Sequence, residues 1–274
     1  MKLKNYLFAA LLAAAPLGFT ACDDDGMTVA PEVESAFTTR YPDAGRVEWD
    51  WEDGYYVADF YDDRYETEAW FTPGGEWVMT ETDIPYAALP QAVKTAFEGS
   101  EYADWRVDDA DQVERRDMET LYVLEVEYGH QEADLYYSGD GVLVKTVADG
   151  GQGGYLPPTL TDAMRDFIET RYPGARLVEA DWEKGLMEVD IVHEGRGKEV
   201  LFTAEGEWVS TSWDVRLADV PQAAKEAALA AYDGYRLDDA DYVETPATNY
   251  YDLELEKTGS PDVHVRVTAD GTLL

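Results

Sequence analysis

The chain has almost no cysteine, few histidines and few basic residues. Its 274 residues include one Cys and three His, so no disulfide can close within the chain and no zinc site can be built from cysteines. Lys and Arg number 21 against 58 Asp and Glu, which gives a formal charge of -37. This charge repels phosphate backbones and anionic headgroups, which disfavours nucleic acid and direct adsorption to a membrane. It favours a basic partner or a cation, although it can also serve only to keep the protein soluble.

The apolar stretch near the N-terminus is too short to span a membrane. Leu7–Ala15 follows Lys2 and Lys4, and a spanning helix needs about 20 apolar residues. A basic start followed by a short apolar segment is typical of an export signal. The stretch therefore predicts secretion rather than a membrane span.

The residues after this segment resemble a bacterial lipobox. In Leu17–Cys22 small residues precede the only cysteine, and Phe19 stands where Leu is usual. Cys22 is thus the expected lipid attachment site, with residues 1–21 as signal peptide and 22–31 as acidic tether. An ordinary signal peptide with an incidental cysteine is the alternative. Asp23–Asp25 resembles both a surface-export tag and an inner-membrane retention signal. We expect an outer-membrane lipoprotein, on the periplasmic side or the cell surface of a Gram-negative bacterium, held to the membrane only through its lipid.

The body of the chain repeats itself with an offset of 131 residues. Between residues 40 and 94 about 24 of 55 positions are identical to those 131 residues later, without a gap. After the loss of one residue, Asp108–Asp111 matches Asp238–Asp241. Such self-similarity indicates a duplicated domain. The predicted domains are residues 32–149 and 160–274, joined by a Gly- and Pro-rich linker at 150–159.

Each copy is itself double, with a short helix before several alternating strands in each half. Prolines suit the first turns of three helices, and Thr161 suits the N-cap of another. Asp140-Gly141 and Asp270-Gly271 are typical hairpin turns. The predicted class is α+β: two tandem domains, each of two units in which one helix packs on about four antiparallel strands.

A helix covers one face of such a sheet and leaves the other face open. Alternation places Tyr56, Ala58 and Phe60 towards the helix, so Tyr55 and Tyr61 are expected on the open face. By the same pattern Trp70 lies on that face, and its repeat counterpart is Leu201. Tyr55, Tyr61, Trp70 and Leu201 are the candidate partner-binding residues. The alternative is that the domains pack sheet on sheet and bury these rings. Four other tryptophans, which both copies retain, are expected to hold the fold: Trp51, Trp77, Trp182 and Trp208.

Two motifs resemble those of the PepSY-like family, which is similar to the β-lactamase-inhibitor-protein fold. They are Arg40–Ala44 with Phe71–Gly75, and Arg171–Ala175 with Phe202–Gly206 in the second copy. The resemblance covers roughly residues 32–149 and 160–274. It implies tandem domains on an envelope lipoprotein with a binding or inhibitory role. It supplies no catalytic residues.

Catalytic and metal-binding motifs find little support in the sequence. His130, His193 and His264 lack a partner at metal-ligand spacing, and no nucleophile or phosphate motif occurs. Repeated acidic pairs are weak calcium candidates, because the EF-hand pattern fails at the sixth position. The pairs are Asp109 with Asp111, and Asp239 with Asp241.

We therefore expect no cofactor and no metal, and no enzyme activity. The predicted function is that of a lipid-anchored, monomeric envelope module that binds a basic protein or peptide on the open sheet face and possesses an inhibitor-like role. Two alternatives stay open. One is a carbohydrate-acting enzyme that uses acidic pairs. The other is an acidic coat protein that binds cations.

Overall fold

The computed structural model describes residues 27–148 and 155–274, and Cys22 lies outside them. Each group of strands follows a helix, as the alternation predicts. The first domain consists of α1 Pro31–Arg40, β1 Val47–Glu52, β2 Tyr55–Asp62, β3 Tyr65–Phe71, β4 Trp77–Asp83, α2 Gln91–Glu98, β5 Arg106–Arg115, β6 Leu121–Tyr128, β7 Gln131–Ser138 and β8 Leu143–Ala148. The second consists of α3 Asp162–Arg171, β9 Arg176–Glu183, β10 Leu186–His193, β11 Arg196–Phe202, β12 Trp208–Asp214, α4 Gln222–Ala231, β13 Arg236–Glu244, β14 Tyr250–Glu256 and β15 Val263–Val267.

Each domain is built on one continuous antiparallel sheet in which neighbours in sequence are neighbours in space. The first sheet has eight strands in the order β1 to β8, and the second has seven in the order β15 to β9. The two units of a domain join through β4 with β5 and through β12 with β13. The fourth unit has three strands, and a single bridge between Val267 and Leu273 stands where a fourth strand was expected. The α+β class and the tandem arrangement are confirmed.

The helices are short and each buries one narrow stripe. Buried residues lie four apart in every helix: Val33 and Phe37, Val93 and Phe97, Met164 and Ile168, Ala224 and Ala228. This spacing places both side chains of a pair on the same helix face, towards the sheet. Thr161 caps α3 as predicted, since its side chain accepts a hydrogen bond from the Met164 amide at 3.3 Å. Among the described residues no helix has both the length and the apolar character that crossing a membrane requires.

The repeated Arg-Tyr-Pro and Gly-Glu-Trp motifs meet on the helix side of each sheet. The Arg40 guanidinium lies 3.5 Å from the ring centre of Trp77, and Arg171 lies 4.5 Å from that of Trp208. The indole of Trp77 donates to the Thr80 hydroxyl at 2.8 Å, and Trp208 bonds to Thr211 in the same way at 3.0 Å. These tryptophans tie the end of a helix to its sheet.

The same structural role was expected for Trp51 and Trp182, and that expectation was wrong. Their exposed fractions are 50% and 51%. Each stands near the end of the first strand of its domain, beside a hairpin turn, and this strand is the edge strand of its sheet. Alternation correctly gave their face, but a position at the sheet edge leaves both rings exposed.

The second domain covers part of the open face of the first sheet. Val178 and Val192 of β9 and β10 belong to the same buried cluster as Val113, Val123 and Tyr136. At the rim of this contact the amide of Glu119 donates to the Leu177 carbonyl at 2.8 Å. Helices cover the opposite side of each sheet, so the open faces of the two domains meet where the second domain docks. Val57, Trp70 and Met79 of β2–β4 also belong to this cluster, so the uncovered remainder of the first open face is the part of β1–β4 around Glu48, Tyr61 and Glu68.

Candidate binding face

The four predicted partner-binding residues lie on the open faces but differ in accessibility. Tyr61 is 61% exposed, whereas Tyr55 and Leu201 are half-buried. Trp70 is only 6% exposed, which contradicts the expectation that its ring is available. It packs in one cluster with Val57 and Met79 of the same face and with Val178 and Val192 of the second domain. The alternation of β3 correctly predicted the side to which Trp70 points, but at this position the alternative, in which the domains pack sheet on sheet, is what the structure shows.

A row of carboxylates crosses the uncovered part of the first open face. Glu48, Asp59, Glu68 and Glu81 are direct partners across β1, β2, β3 and β4. Glu48 is 63% exposed at its side chain and contacts Arg46 of its own strand at 2.9 Å. Burial, followed by the nearby Glu48 and Asp50 charges, raises the pKa of Asp59. We call these four residues the first carboxylate row; Tyr61 follows Asp59 by two positions on β2 and so shares its face.

A second acidic group lies deeper, where the first domain meets a residue of the predicted linker. Asp111 is 8% exposed and accepts a hydrogen bond from the Tyr155 hydroxyl at 3.3 Å. Burial raises the pKa of Asp111 to about 8, and the charges of Glu81, Asp109 and Glu125 add to the effect. The carboxyl group is therefore largely protonated at neutral pH. A neutral hydrogen-bonded acid at this position is a poor ligand for a cation.

The counterpart of Asp111 in the second domain is less buried. Asp241 is paired across the sheet with Asp214 on one side and Asp252 on the other. Burial and the Asp214 charge raise the pKa of Asp241 to about 7. Asp109 and Asp239 are exposed. Within residues 27–148 and 155–274 no set of three or more His, Cys, Asp or Glu side chains is arranged to hold a metal ion.

The three histidines do not converge on any of these groups. His130 is exposed in the turn between β6 and β7. His193 ends β10 and packs edge-on against Tyr172, at 5.5 Å between ring centres. His264 is exposed on β15, and its Nδ1 lies 3.3 Å from an Asp252 oxygen.

Two cations of the first domain pair with carboxylates on the open face of the second. The Arg115 side chain is fully buried and donates to Glu179 at 2.7 Å and to the Val178 carbonyl. Lys145 donates to Asp181 at 2.7 Å and to Glu188 at 2.9 Å. A cleft of about 540 Å³ opens beside these pairs.

Sequence reasoning missed Arg115 and Lys145. A signal did exist for Arg115, because its repeat counterpart is Thr245, whereas acidic residues such as Glu48 and Glu179 agree between the copies. Only the register of the folded sheets shows what these cations contact.

Comparison with known proteins gives the family of the chain. A family model described as "Putative beta-lactamase-inhibitor-like, PepSY-like" matches residues 54–145 and 185–274. The matched segments cover about two thirds of the chain, one in each domain, so the chain belongs to this family. No curated protein matches the chain.

Several solved structures are similar to one domain of the chain. A BLIP-like protein from Bacteroides fragilis is 35% identical, with a TM-score of 0.46, over 49% of this chain and 99% of that one. A DUF2874 family protein from Bacteroides ovatus is 35% identical, with a TM-score of 0.43, over 45% and 89%. A Bacteroides eggerthii structure, described as of "putative periplasmic proteins", is 28% identical with a TM-score of 0.42, over 44% and 90%.

Proposed function

We propose that this chain is a non-enzymatic module of the bacterial envelope that binds a protein on the uncovered part of the first open face, β1–β4. Family membership supports a binding role, since the family is described as β-lactamase-inhibitor-like. The observation that carries the proposal is Tyr61, whose ring is 61% exposed on a sheet face that no helix covers. Aromatic side chains held on rigid strands are favoured anchors in protein interfaces. The surrounding carboxylates select a basic partner.

A site-specific photo-crosslinker tests which face binds. We expect a benzophenone amino acid at position 61 to crosslink a protein of the envelope in living cells. The same group at Glu34, which is exposed on the helix side, is the matched control and should give no such product. Equal products from both positions, or none from position 61, would contradict the face assignment. Mass spectrometry of the product identifies the partner, and an inhibition assay against it, with a β-lactamase included, separates binding from inhibition.

The proposal places the module at the outer membrane through a lipid on Cys22, after removal of residues 1–21. Its support is the lipobox-like stretch before the only cysteine. Residues 22–31 form the tether in this proposal, although Val29 already packs beneath α1. Residues 32–149 and 160–274 are the two binding domains and 150–159 the linker, whose end contributes Tyr155 to the domain contact. Labelling with a palmitate analogue should mark the wild-type protein and leave Cys22→Ser unmarked; a labelled variant would overturn the anchor.

A further inference from the structure

The first carboxylate row has an exact positional counterpart in the second domain. Residues 131 positions later are Glu179, Asp190 and Glu199, which pair directly across β9, β10 and β11, with Ser212 of β12 in the place of Glu81. These three acids are the second carboxylate row. Both rows therefore occupy the same register on the open face of their sheets.

The two rows differ in what covers them. In the second row Glu179 is 7% and Asp190 2% exposed, because the first domain lies over them. The guanidinium of Arg115 reaches Glu179 and the neighbouring backbone carbonyl of Val178. In the first row Glu48 is exposed and Asp59 half-exposed. The second row is thus covered and ion-paired to the other domain, whereas in the first row Glu48 faces solvent and pairs with the exposed Arg46 of its own strand.

The neighbouring apolar position follows the same rule. The counterpart of Tyr61 is Val192, which is 2% exposed and packs in the cluster between the domains. Tyr61 itself is 61% exposed. In the second domain, then, an apolar contact and a charge-assisted contact occur together on one patch. In the first domain the equivalent residues, Glu48 and Tyr61, are both exposed.

The row is retained where the surrounding sequence has diverged. From residue 55 to residue 67 the only identity between the two copies is Asp59 with Asp190. Glu48 and Glu68 are likewise identical to their counterparts. Like charges directly opposite one another destabilise a sheet by a few tenths of a kcal/mol to about 1 kcal/mol per pair. A feature that opposes folding and is nevertheless kept in both copies is typical of a binding site.

We propose that the first carboxylate row binds an arginine of the partner protein, with apolar partner side chains over Tyr61, as Arg115 and its cluster bind the second row. This inference rests on the proposed function and specifies its chemistry. A guanidinium suits the site because its planar fork can serve a carboxylate and a backbone carbonyl together. Arg115 uses both kinds of acceptor in the second domain.

The test uses two peptides of equal shape on the complete mature protein. The probe is Ac-Val-Arg-Val-Arg-Val-NH2, and its control carries citrulline, which is uncharged, in place of each arginine. Calorimetric titration should show the arginine peptide binding about tenfold more tightly or better, since charge-assisted hydrogen bonds are roughly twice as strong as neutral ones. Equal affinity of the two peptides would overturn the inference.

Two variants of equal charge locate the binding. Glu48→Gln with Asp59→Asn should weaken the arginine peptide about fivefold or more, whereas Glu32→Gln with Glu34→Gln on the exposed side of α1 should change affinity less than about twofold. Glu48→Gln alone, at an exposed side chain, replaces the double variant if that variant does not fold. Equal losses from both surfaces would reduce the effect to general charge attraction and overturn the inference. If position 61 crosslinks a partner but the row variants leave that product intact, the arginine site fails and the proposed function stands.

Discussion

The helix sides of the two domains agree closely, whereas their open faces have diverged. On the helix side an arginine covers a tryptophan that bonds to a threonine in both copies, with Arg40 and Trp77 matched by Arg171 and Trp208. On the open face Trp70 is replaced by Leu201 and Tyr61 by Val192. Both open faces contribute to the domain contact, but Val192 is buried in it whereas Tyr61, at the equivalent position, stays exposed. The difference teaches that the helix side specifies the fold and the open face specifies association.

The largest expected effect comes from removing the contact that Arg115 makes between the two domains. Arg115→Ala leaves the Glu179 carboxylate buried without its cation, which should cost about 3–5 kcal/mol. Arg106→Ala is the matched control, because the pairs of Arg106 with Asp108 and Glu127 are solvent-exposed and should contribute little to stability. Urea unfolding of the complete protein measures both. The double variant Arg115→Met with Glu179→Leu should recover most of the lost free energy of unfolding. If Arg115→Ala loses no more than Arg106→Ala does, the Arg115–Glu179 contact is not what holds the domains together.

A smaller effect separates two equivalent hairpin glycines. Both have a positive φ, +80° at Gly75 and +85° at Gly206, so an alanine at either costs about 1–2 kcal/mol in backbone strain. At Gly75 the added methyl would also lie 2.6 Å from the Glu32 carbonyl, whereas at Gly206 the nearest atom is 3.4 Å away. We expect Gly75→Ala to lower the free energy of unfolding by about 2 kcal/mol more than Gly206→Ala does. Equal losses would mean that α1 shifts freely over its sheet.

The smallest effect concerns the buried acids Asp111 and Asp241. The pKa of Asp111 is raised to about 8 in the folded protein, so between pH 4 and pH 8 the folded state binds more protons than the unfolded state. The contribution of Asp111 to the free energy of unfolding is therefore fully present below about pH 4 and is lost as the pH rises through 8. Asp111→Asn should reduce this decrease with pH and raise the free energy of unfolding at pH 8.5 by on the order of 2 kcal/mol.

Asp241 serves as the matched site for this pH dependence. Its pKa is raised only to about 7 and its carboxyl is less buried, so Asp241→Asn should give a smaller gain over the same pH range. Thermal unfolding from pH 5 to pH 8.5 checks both variants. A larger gain at position 241, or a loss at position 111, would contradict the assignment of Asp111 as the more strongly shifted acid.

The sequence allowed much of this fold to be predicted, because each part of it depends on local pattern. The repeat gave two domains, the spacing of Val33 and Phe37 gave a helix stripe, and alternation placed Tyr61 and Trp70 on the open face. Burial of Trp70 and exposure of Trp51 were not predictable, since the first depends on contact with the second domain and the second on the position of β1 at the sheet edge. The pairing of Arg115 with Glu179 joins residues 64 positions apart in different domains, and no periodicity encodes it.

The strict meander of both sheets also bears on how the molecule forms. Within each sheet every strand pairs with the one made just before it, so most hairpins close over a short loop, while the β4–β5 and β12–β13 connections span a helix. Low sequence separation between contacting residues favours rapid folding. The eight-stranded sheet can grow strand by strand from β1, and its last strand, β8, contributes Lys145 to the domain contact. The first domain can thereby complete, without the second, the surface on which the second domain packs.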